Sequence, residues 1–294
     1  MGRRMPLRTV LRLGSIWWFE TKLAETRFHA FCLALLAWKT DERTCRAMDY
    51  EEITNNYYAK WLGVTPADFD KNGVRFVYSP QRDTVQKGYS QPFDIFAWIA
   101  DKNIIVSYGS KTADKIPLLK NLLSPAMSAE DISLILQTHL GGAPRKYIKF
   151  GFAKLPEVGV KSYKMTAADF PLYEAFFAAC NPNCRDTSWL HEYYTDMTTR
   201  GLCYGEIISG KLVSMNDLPD MPYMESKVQE LGINTLPEYQ GQGLARRVCA
   251  TCIHDMIHRG VCPQWSTGSH NEASRRLALS VGFFKIANVL TITL

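Results

Sequence analysis

The chain has 294 residues, 46 percent hydrophobic and 12 percent aromatic, enough to fill one large core or two ordinary ones, which excludes a mainly disordered protein. Its formal charge of +5 resides in residues 1–47, where nine Lys/Arg stand against four Asp/Glu, while the remainder carries 25 of each sign. A neutral body lacks the clustered basic charge of a nucleic-acid footprint, and no apolar run reaches the roughly 20 residues that span a bilayer, so neither nucleic acid nor membrane is an expected partner.

Residues 1–47 read as a basic N-terminal extension. Within it, the apolar run Phe28–Trp38 resembles a signal-peptide core but comes late, contains His29 and lacks a small-residue cleavage site before Lys39. The charge excess ends where Met48 opens "MDYEEITNNYY", so an over-long start is the alternative reading of this segment. From there to about residue 155 the pattern is mixed. "EEITNNYYAKWLG" predicts a helix closed by Gly63, "GVRFVYS" a strand, and "DIFAWIADKNIIVSYG" a hairpin turning at Asp101–Asn103. Lys115–Leu123 and Ser128–Leu140 are helical, the second with Ser128 as N-cap, Asp131 in the capping-box position and Gly141 as its stop. "GGAPRKYIKFGFAKLPEVG" gathers glycine, proline and lysine, and a domain boundary is expected in it near residue 155.

Beyond that boundary, "KSYKMTAADFPLYEAFFAAC" predicts a strand followed by a helix, with Thr166 as N-cap, Asp169 in the capping-box position and Pro171 in the first turn. Asp186–Thr199 is a further helix ending at Gly201, and "LCYGEIISGKLVSMND" a tight hairpin around Ser209 and Gly210. "VQELGINTL" reads as one strand, followed by a long helix from Leu244 to Arg259, the short strand "QWSTG", a helix from Asn271 to Ser280 and the strand "FFKIANVLTITL". The expected fold is α+β: a C-terminal mixed sheet flanked by helices over 156–294, with a separate N-terminal α/β domain over 48–155.

Eight cysteines (Cys32, Cys45, Cys180, Cys184, Cys203, Cys249, Cys252 and Cys262) are scattered without a compact framework, which favours reduced thiols and a cytoplasmic location. Cys249 and Cys252 have zinc-like spacing but no second pair. They fall on an apolar helix stripe with Val248, Ile253, Met256 and Ile257, so they are expected in the core and no metal is expected. His254 and His258, one turn apart, lack a third ligand and read as a polar helix flank.

The segment "PEYQGQGLARR" places Gly241 and Gly243 where a strand gives way to the long helix. The first N–H groups of a helix have no internal partner and carry the positive end of the dipole, which makes an anion site. Glycines there let backbone approach a pyrophosphate, and Arg246 and Arg247 add cationic charge. A dinucleotide fold would require a third glycine, and a phosphate-loop nucleotidase a Gly-Lys-Ser/Thr ending where Leu244 and Ala245 stand. A plain turn into the helix is the remaining alternative.

Gln240-Gly241-Gln242-Gly243-Leu244-Ala245 resembles the Q/R-x-x-G-x-G/A signature of the GNAT superfamily of N-acetyltransferases, and Asn271, twelve residues before Phe283, matches that family's "N…GF" spacing. In motif, the segment from about Lys161 to Leu294 is similar to the subgroup typified by the zwittermicin A acetyltransferase. The resemblance implies acetyl-CoA as co-substrate, with Gln240 to Ala245 and Arg246 around the pyrophosphate, the backbone of Ile233, Asn234 and Thr235 pairing with pantetheine, and Asn271 touching the same arm. As an ordinary residue, Asn271 reads as an N-cap.

Glu230 begins the strand that leads to the motif and is the candidate base through a water, on the reasoning that Val228 and Leu231 shield it partly and raise its pKa; a solvated strand-end acid is the alternative. The family's usual acid, a tyrosine seven residues after the asparagine, is Ala278 here, leaving Ser274, His270 or water. The chain also shows one strand beyond Phe283, so the last hairpin strand of many relatives is absent or supplied from elsewhere. The acceptor, a small-molecule primary amine such as one on an aminopolyol antibiotic, is expected between the helices before Gly201 and the loop Met215–Glu225. Asp217, Asp220 and Glu225 would attract it, whereas Trp189, Tyr193 and Tyr194 read as core. The first half would shape the acceptor site or a homodimer. A catalytically silent acyl-CoA sensor or assembly module is the rival reading.

Overall fold

A computed structural model describes residues 48–294; the basic segment, its apolar run and its two cysteines lie outside the described residues. The chain divides into two compact units, Met1–Met48 and Asp49–Leu294, and the second contains every element below. Helix α1 (Tyr50–Leu62) starts where Asp49 accepts the Glu52 N–H at 2.8 Å and stops at Gly63, whose φ of 71° is left-handed. Strand β1 (Gly73–Tyr78) precedes the hairpin of β2 (Ile95–Ala100) and β3 (Asn103–Tyr108). Helices α2 (Ile116–Leu122) and α3 (Ala129–Leu140) follow, α3 bounded by the expected Ser128/Asp131 box and Gly141.

Strand β4 (Arg145–Phe152) runs through the stretch read as a linker. Then come β5 (Tyr163–Lys164), α4 (Phe170–Cys180), α5 (Leu190–Arg200), β6 (Tyr204–Ile208), β7 (Lys211–Asp217), β8 (Val228–Glu230) and β9 (Gly232–Thr235). Helix α6 (Leu244–His258), β10 (Cys262–Gly268), α7 (Glu272–Ser280) and β11 (Phe283–Ile292) complete the order. Helix α5 begins at Leu190 and not Asp186, because the Asp186 carboxylate accepts from the Ser188 N–H at 3.0 Å and its hydroxyl at 2.7 Å, holding a non-helical turn. Cys249 and Cys252 are buried within α6, and His254 on its flank meets the Pro156 carbonyl at 2.7 Å. Among the described residues no helix is long and apolar enough to cross a membrane.

Seven strands form one sheet in the order β1-β3-β2-β11-β4-β10-β8, and four form another, β5-β6-β7-β9. The larger sheet alternates between the two halves of the chain, which corrects the expected separate N-terminal domain and the boundary near residue 155. β11 pairs antiparallel with β2 on one side and with β4 on the other, and β4 pairs antiparallel with β10. A buried strand leaves costly unpaired N–H and C=O groups unless both edges find partners, and the first half of the chain supplies them. β4 thereby lies between β11 and β10 and pairs with both. Gly141, Gly142 and Pro144 mark its approach, while Ile148, Phe150 and Phe152 within it are buried. One core likewise joins both halves: Ile95, Ile104 and Val106 of the hairpin, Leu119, Ile132 and Leu136 of α2 and α3, and Leu290 and Ile292 of β11.

A fragment of residues 156–294 is therefore expected to aggregate or to melt without cooperativity, since it exposes β11 and one edge of β10. Circular dichroism melting checks this; a soluble fragment with a sharp transition would restore the two-domain reading.

Candidate active site

β8 and β9 are consecutive parts of one extended segment that changes partner at Leu231. β8 lies parallel to β10, and the Leu231 N–H still reaches the Gln264 carbonyl at 3.1 Å. One residue later β9 pairs antiparallel with β7, Gly232 facing Asp217 and Thr235 facing Ser214. β9 and β10 therefore diverge, and the expected single strand is two. Between them opens a cleft of about 740 Å³, walled by Ile233, Asn234 and Thr235 on one side and Trp265, Ser266 and Thr267 on the other. The edge of β9 that faces β10 has no strand partner among the described residues, so a ligand carrying amides could pair with it as a strand does.

The N-terminus of α6 closes one end of this cleft. Gly241 and Gly243 have φ values of 74° and 77°, a region costly for any residue with a Cβ, and a Cβ added at either would meet nothing within 4 Å. No side chain caps α6 at Gly243, so the first N–H groups of the helix remain available. Gln240, Gly241, Gly243, Leu244, Ala245 and Arg246 line the cleft; Gln242 does not, its amide donating to the Glu238 carbonyl at 3.3 Å. Arg246 is exposed and makes no ion pair among the described residues, whereas Arg247 is held by Glu206 at 2.9 Å. Arg276 of α7, which the sequence reading passed over, adds a second cation to the lining. Uncapped amides, open glycines and unpaired arginines together suit an extended, multiply charged phosphate ligand.

Asn271 and Ser274, at the start of α7, also line the cleft. The Asn271 side-chain oxygen accepts the Ser274 N–H at 3.0 Å, the N-cap geometry anticipated for it. Asn271→Ala is expected to cost about 1 kcal/mol and lower the melting temperature by about 2–4 °C, read by thermal denaturation. An unchanged melt would mean the cap contributes nothing. The Ser274 hydroxyl accepts from the Trp265 indole N–H at 3.1 Å, which leaves its own proton free to point elsewhere. Ala278 is fully buried in α7.

Glu230 ends β8 and does not itself line the cleft. The Ser266 hydroxyl does, and it donates to the Glu230 carboxylate at 2.5 Å, so a side chain stands where a water was expected. Sequence reasoning missed Ser266 because nothing local marks it; its role depends on β10 lying beside β8. Lys149 of β4 faces Ser266 in register and lies over the Tyr58 ring at 5.9 Å. Burial pushes its ammonium below the ordinary lysine range, and the charge of Glu230 pulls the other way. Tyr57, Tyr58 and Tyr89 are pushed up, first by burial and then by Glu230, and so stay protonated. The first half of the chain thus contributes phenols and one lysine that feel the charge of this carboxylate.

Of the three carboxylates expected to attract an amine, two are already neutralised. Lys87 meets Glu225 at 2.8 Å and Asp220 at 3.8 Å, and Arg200 reaches Asp220 at 3.6 Å. Asp217 lies apart from them, in a second pocket of about 310 Å³ that also includes Trp189 and Tyr193. Those two aromatics are not core as expected, because α5 turns them toward the pocket; Tyr194 is fully buried.

Residues 161–289 match the model of the GNAT acetyltransferase family. Among solved structures, the chain is similar to a GNAT-family acetyltransferase of Colwellia psychrerythraea at 19% identity, covering 54% of this chain and 62% of that one, with a TM-score of 0.44. A GCN5-related N-acetyltransferase of Sphaerobacter thermophilus is 16% identical over 56% of each chain, with a TM-score of 0.44. A ribosomal-protein-alanine N-acetyltransferase of Brucella melitensis is 17% identical over 46% of this chain and all of that one, with a TM-score of 0.37. The chain spans about three-fifths of the length of the first two. No curated protein matches it.

Proposed function

We propose, from the match of residues 161–289 to the GNAT acetyltransferase family model, that this protein transfers the acetyl group of acetyl-CoA to the primary amine of a small molecule. The observation that carries the proposal is the uncapped amide turn at Gly241–Arg246, opening onto the gap between β9 and β10. The N–H groups of Leu244 to Arg246, with the Arg246 and Arg276 side chains, would hold the pyrophosphate. The free edge of Gly232–Thr235 would pair with the pantetheine amides, and an N–H near Ile233 would stabilise the oxyanion.

Acetyl-CoA supplies an acyl carbon activated as a thioester: the amine lone pair forms the C–N bond, the C–S bond breaks, and the sulfur keeps its electron pair. Glu230 accepts the amine proton through Ser266, the hydroxyl passing one proton to the carboxylate and taking one from nitrogen. Ser274, which also lines the cleft, would supply the thiolate proton, and a good leaving group makes this acid the less demanding role. The subgroup resemblance favours an aminopolyol acceptor, yet it rests on residues around the donor. We place the protein in the cytoplasm, with a homodimer as an open role for its first half.

The rival, a silent acyl-CoA sensor, is favoured by one observation: the buried Ala278 at the usual acid position. Thiol release in the presence of a panel of amines tests the proposal. Turnover is expected; tight acetyl-CoA binding without release of thiol for any amine would favour the sensor.

A further inference from the structure

The pocket beside the cleft has a lining that the donor site does not explain. Tyr173 and Phe177 of α4, Trp189 at the N-cap of α5 and Tyr193 within α5 form a continuous ring wall: Tyr173 to Phe177 at 6.2 Å, Phe177 to Trp189 at 5.5 Å, and Trp189 to Tyr193 at 5.7 Å between centroids. Trp189 is 43% exposed, an unusual position for a large aromatic with no core to fill. Asp217, at the end of β7, is the sole acid of the lining. Its Oδ1 accepts the Tyr193 hydroxyl and the Leu218 N–H, the latter at 2.9 Å. Its other oxygen has no hydrogen-bond partner among the described residues, and Asp217 makes no ion pair there.

Space for that oxygen depends on Gly232. A Cβ at this position would lie 2.9 Å from the Asp217 Cβ and 3.3 Å from Oδ2. Gly232 lines the cleft, and Asn234, two residues on, lines both the cleft and this pocket, so Asp217 stands where the two border each other along β9. Burial raises the Asp217 carboxyl above its ordinary range, and a cation on the free oxygen would reverse that.

We propose that this pocket is the acceptor's seat and that it takes an arylalkyl amine, with the ring among the four aromatics and the ammonium on Asp217 next to Gly232. The assignment rests on the acetyl-transfer reading and narrows its substrate class. A volume of about 310 Å³ lies at the small end of ligand pockets, roughly 300–1,000 Å³, which suits one ring on a short chain. The ring wall also favours the ammonium by cation–π attraction. A polyol fits poorly, since each hydroxyl buried against rings without a partner costs about 1–3 kcal/mol. The bound ammonium loses one proton before attack and a second as the C–N bond forms; one ends on the departing thiolate and the other in solvent.

Calorimetric titration of the full chain with 2-phenylethylamine, butylamine and glucosamine tests this, alongside separate titration with acetyl-CoA. The aromatic amine is expected to bind at least about tenfold tighter than the other two, and about tenfold weaker in Asp217→Asn, an affinity change of about 1.4 kcal/mol. Acetyl-CoA binding should be unchanged in that variant, and thiol release should follow the same order of amines. Trp189→Ala, on an exposed side chain, should also weaken the aromatic amine and keeps the test readable if Asp217→Asn fails to fold. Equal affinities, no amine binding, or indifference to both variants overturns the pocket assignment even where acetyl-CoA binds. Selective amine binding without acetyl-CoA binding would instead overturn the acetyl-transfer reading and leave the amine pocket standing.

Discussion

Replacing Gly243 with glutamate is expected to weaken acetyl-CoA binding about 100-fold, or about 2.7 kcal/mol, with little change elsewhere in the fold. Two effects add. Gly243 has a φ of 77°, where a side-chain-bearing residue is strained, and its missing Cβ leaves the space through which a pyrophosphate would reach the first amides of α6. A carboxylate there also repels the phosphates at the positive end of the helix dipole. Isothermal titration measures the loss, with a melting curve to confirm folding. Gly243→Ala separates the effects, since it carries the backbone strain without the charge and should lose about tenfold. A folded Gly243→Glu protein that binds acetyl-CoA as tightly as the parent would remove the pyrophosphate from this turn, and the donor assignment with it.

The second large effect is kinetic. Glu230→Gln is expected to lower kcat about 100-fold while leaving acetyl-CoA affinity unchanged, because general base catalysis contributes roughly 100- to 10,000-fold and Glu230 stands outside the cleft. Ser266→Ala removes the only hydroxyl on that carboxylate among the described residues and should reproduce most of the loss. The double variant should be little worse than either single one, as expected of two groups acting in series. If Ser266→Ala retains full kcat while Glu230→Gln does not, the carboxylate acts directly or through water. If neither variant slows turnover, the base lies elsewhere, and Lys149, opposite Ser266, becomes the next group to replace.

The glycine pair was legible because a left-handed φ and a close backbone approach demand glycine itself, a requirement written in one residue. Asn271, Ser128 and Asp131 were legible for the same local reason: a cap satisfies N–H groups within three residues of itself. β4 was not. Its approach carries the glycine and proline of a linker, and only the unpaired edges of β10 and β11, over a hundred residues away in sequence, make it a central strand. The break at Leu231 was equally hidden, since "VQELGINTL" alternates like any strand, and its change of partner is set by where β7 and β10 lie.

The sequence alone therefore determined what local chemistry specifies: the glycine stops of α1, α3 and α5, the capping box of α3, the buried cysteines of α6, and a glycine turn that leaves the first amides of α6 uncapped. Only the tertiary structure decided which elements share a sheet, that Ser266 stands between Glu230 and the cleft, and that Asp217 makes no ion pair among the described residues while Asp220 and Glu225 are neutralised. Pairing across a sheet and charge neutralisation depend on distances between residues far apart along the chain, and those distances exist only once it has folded.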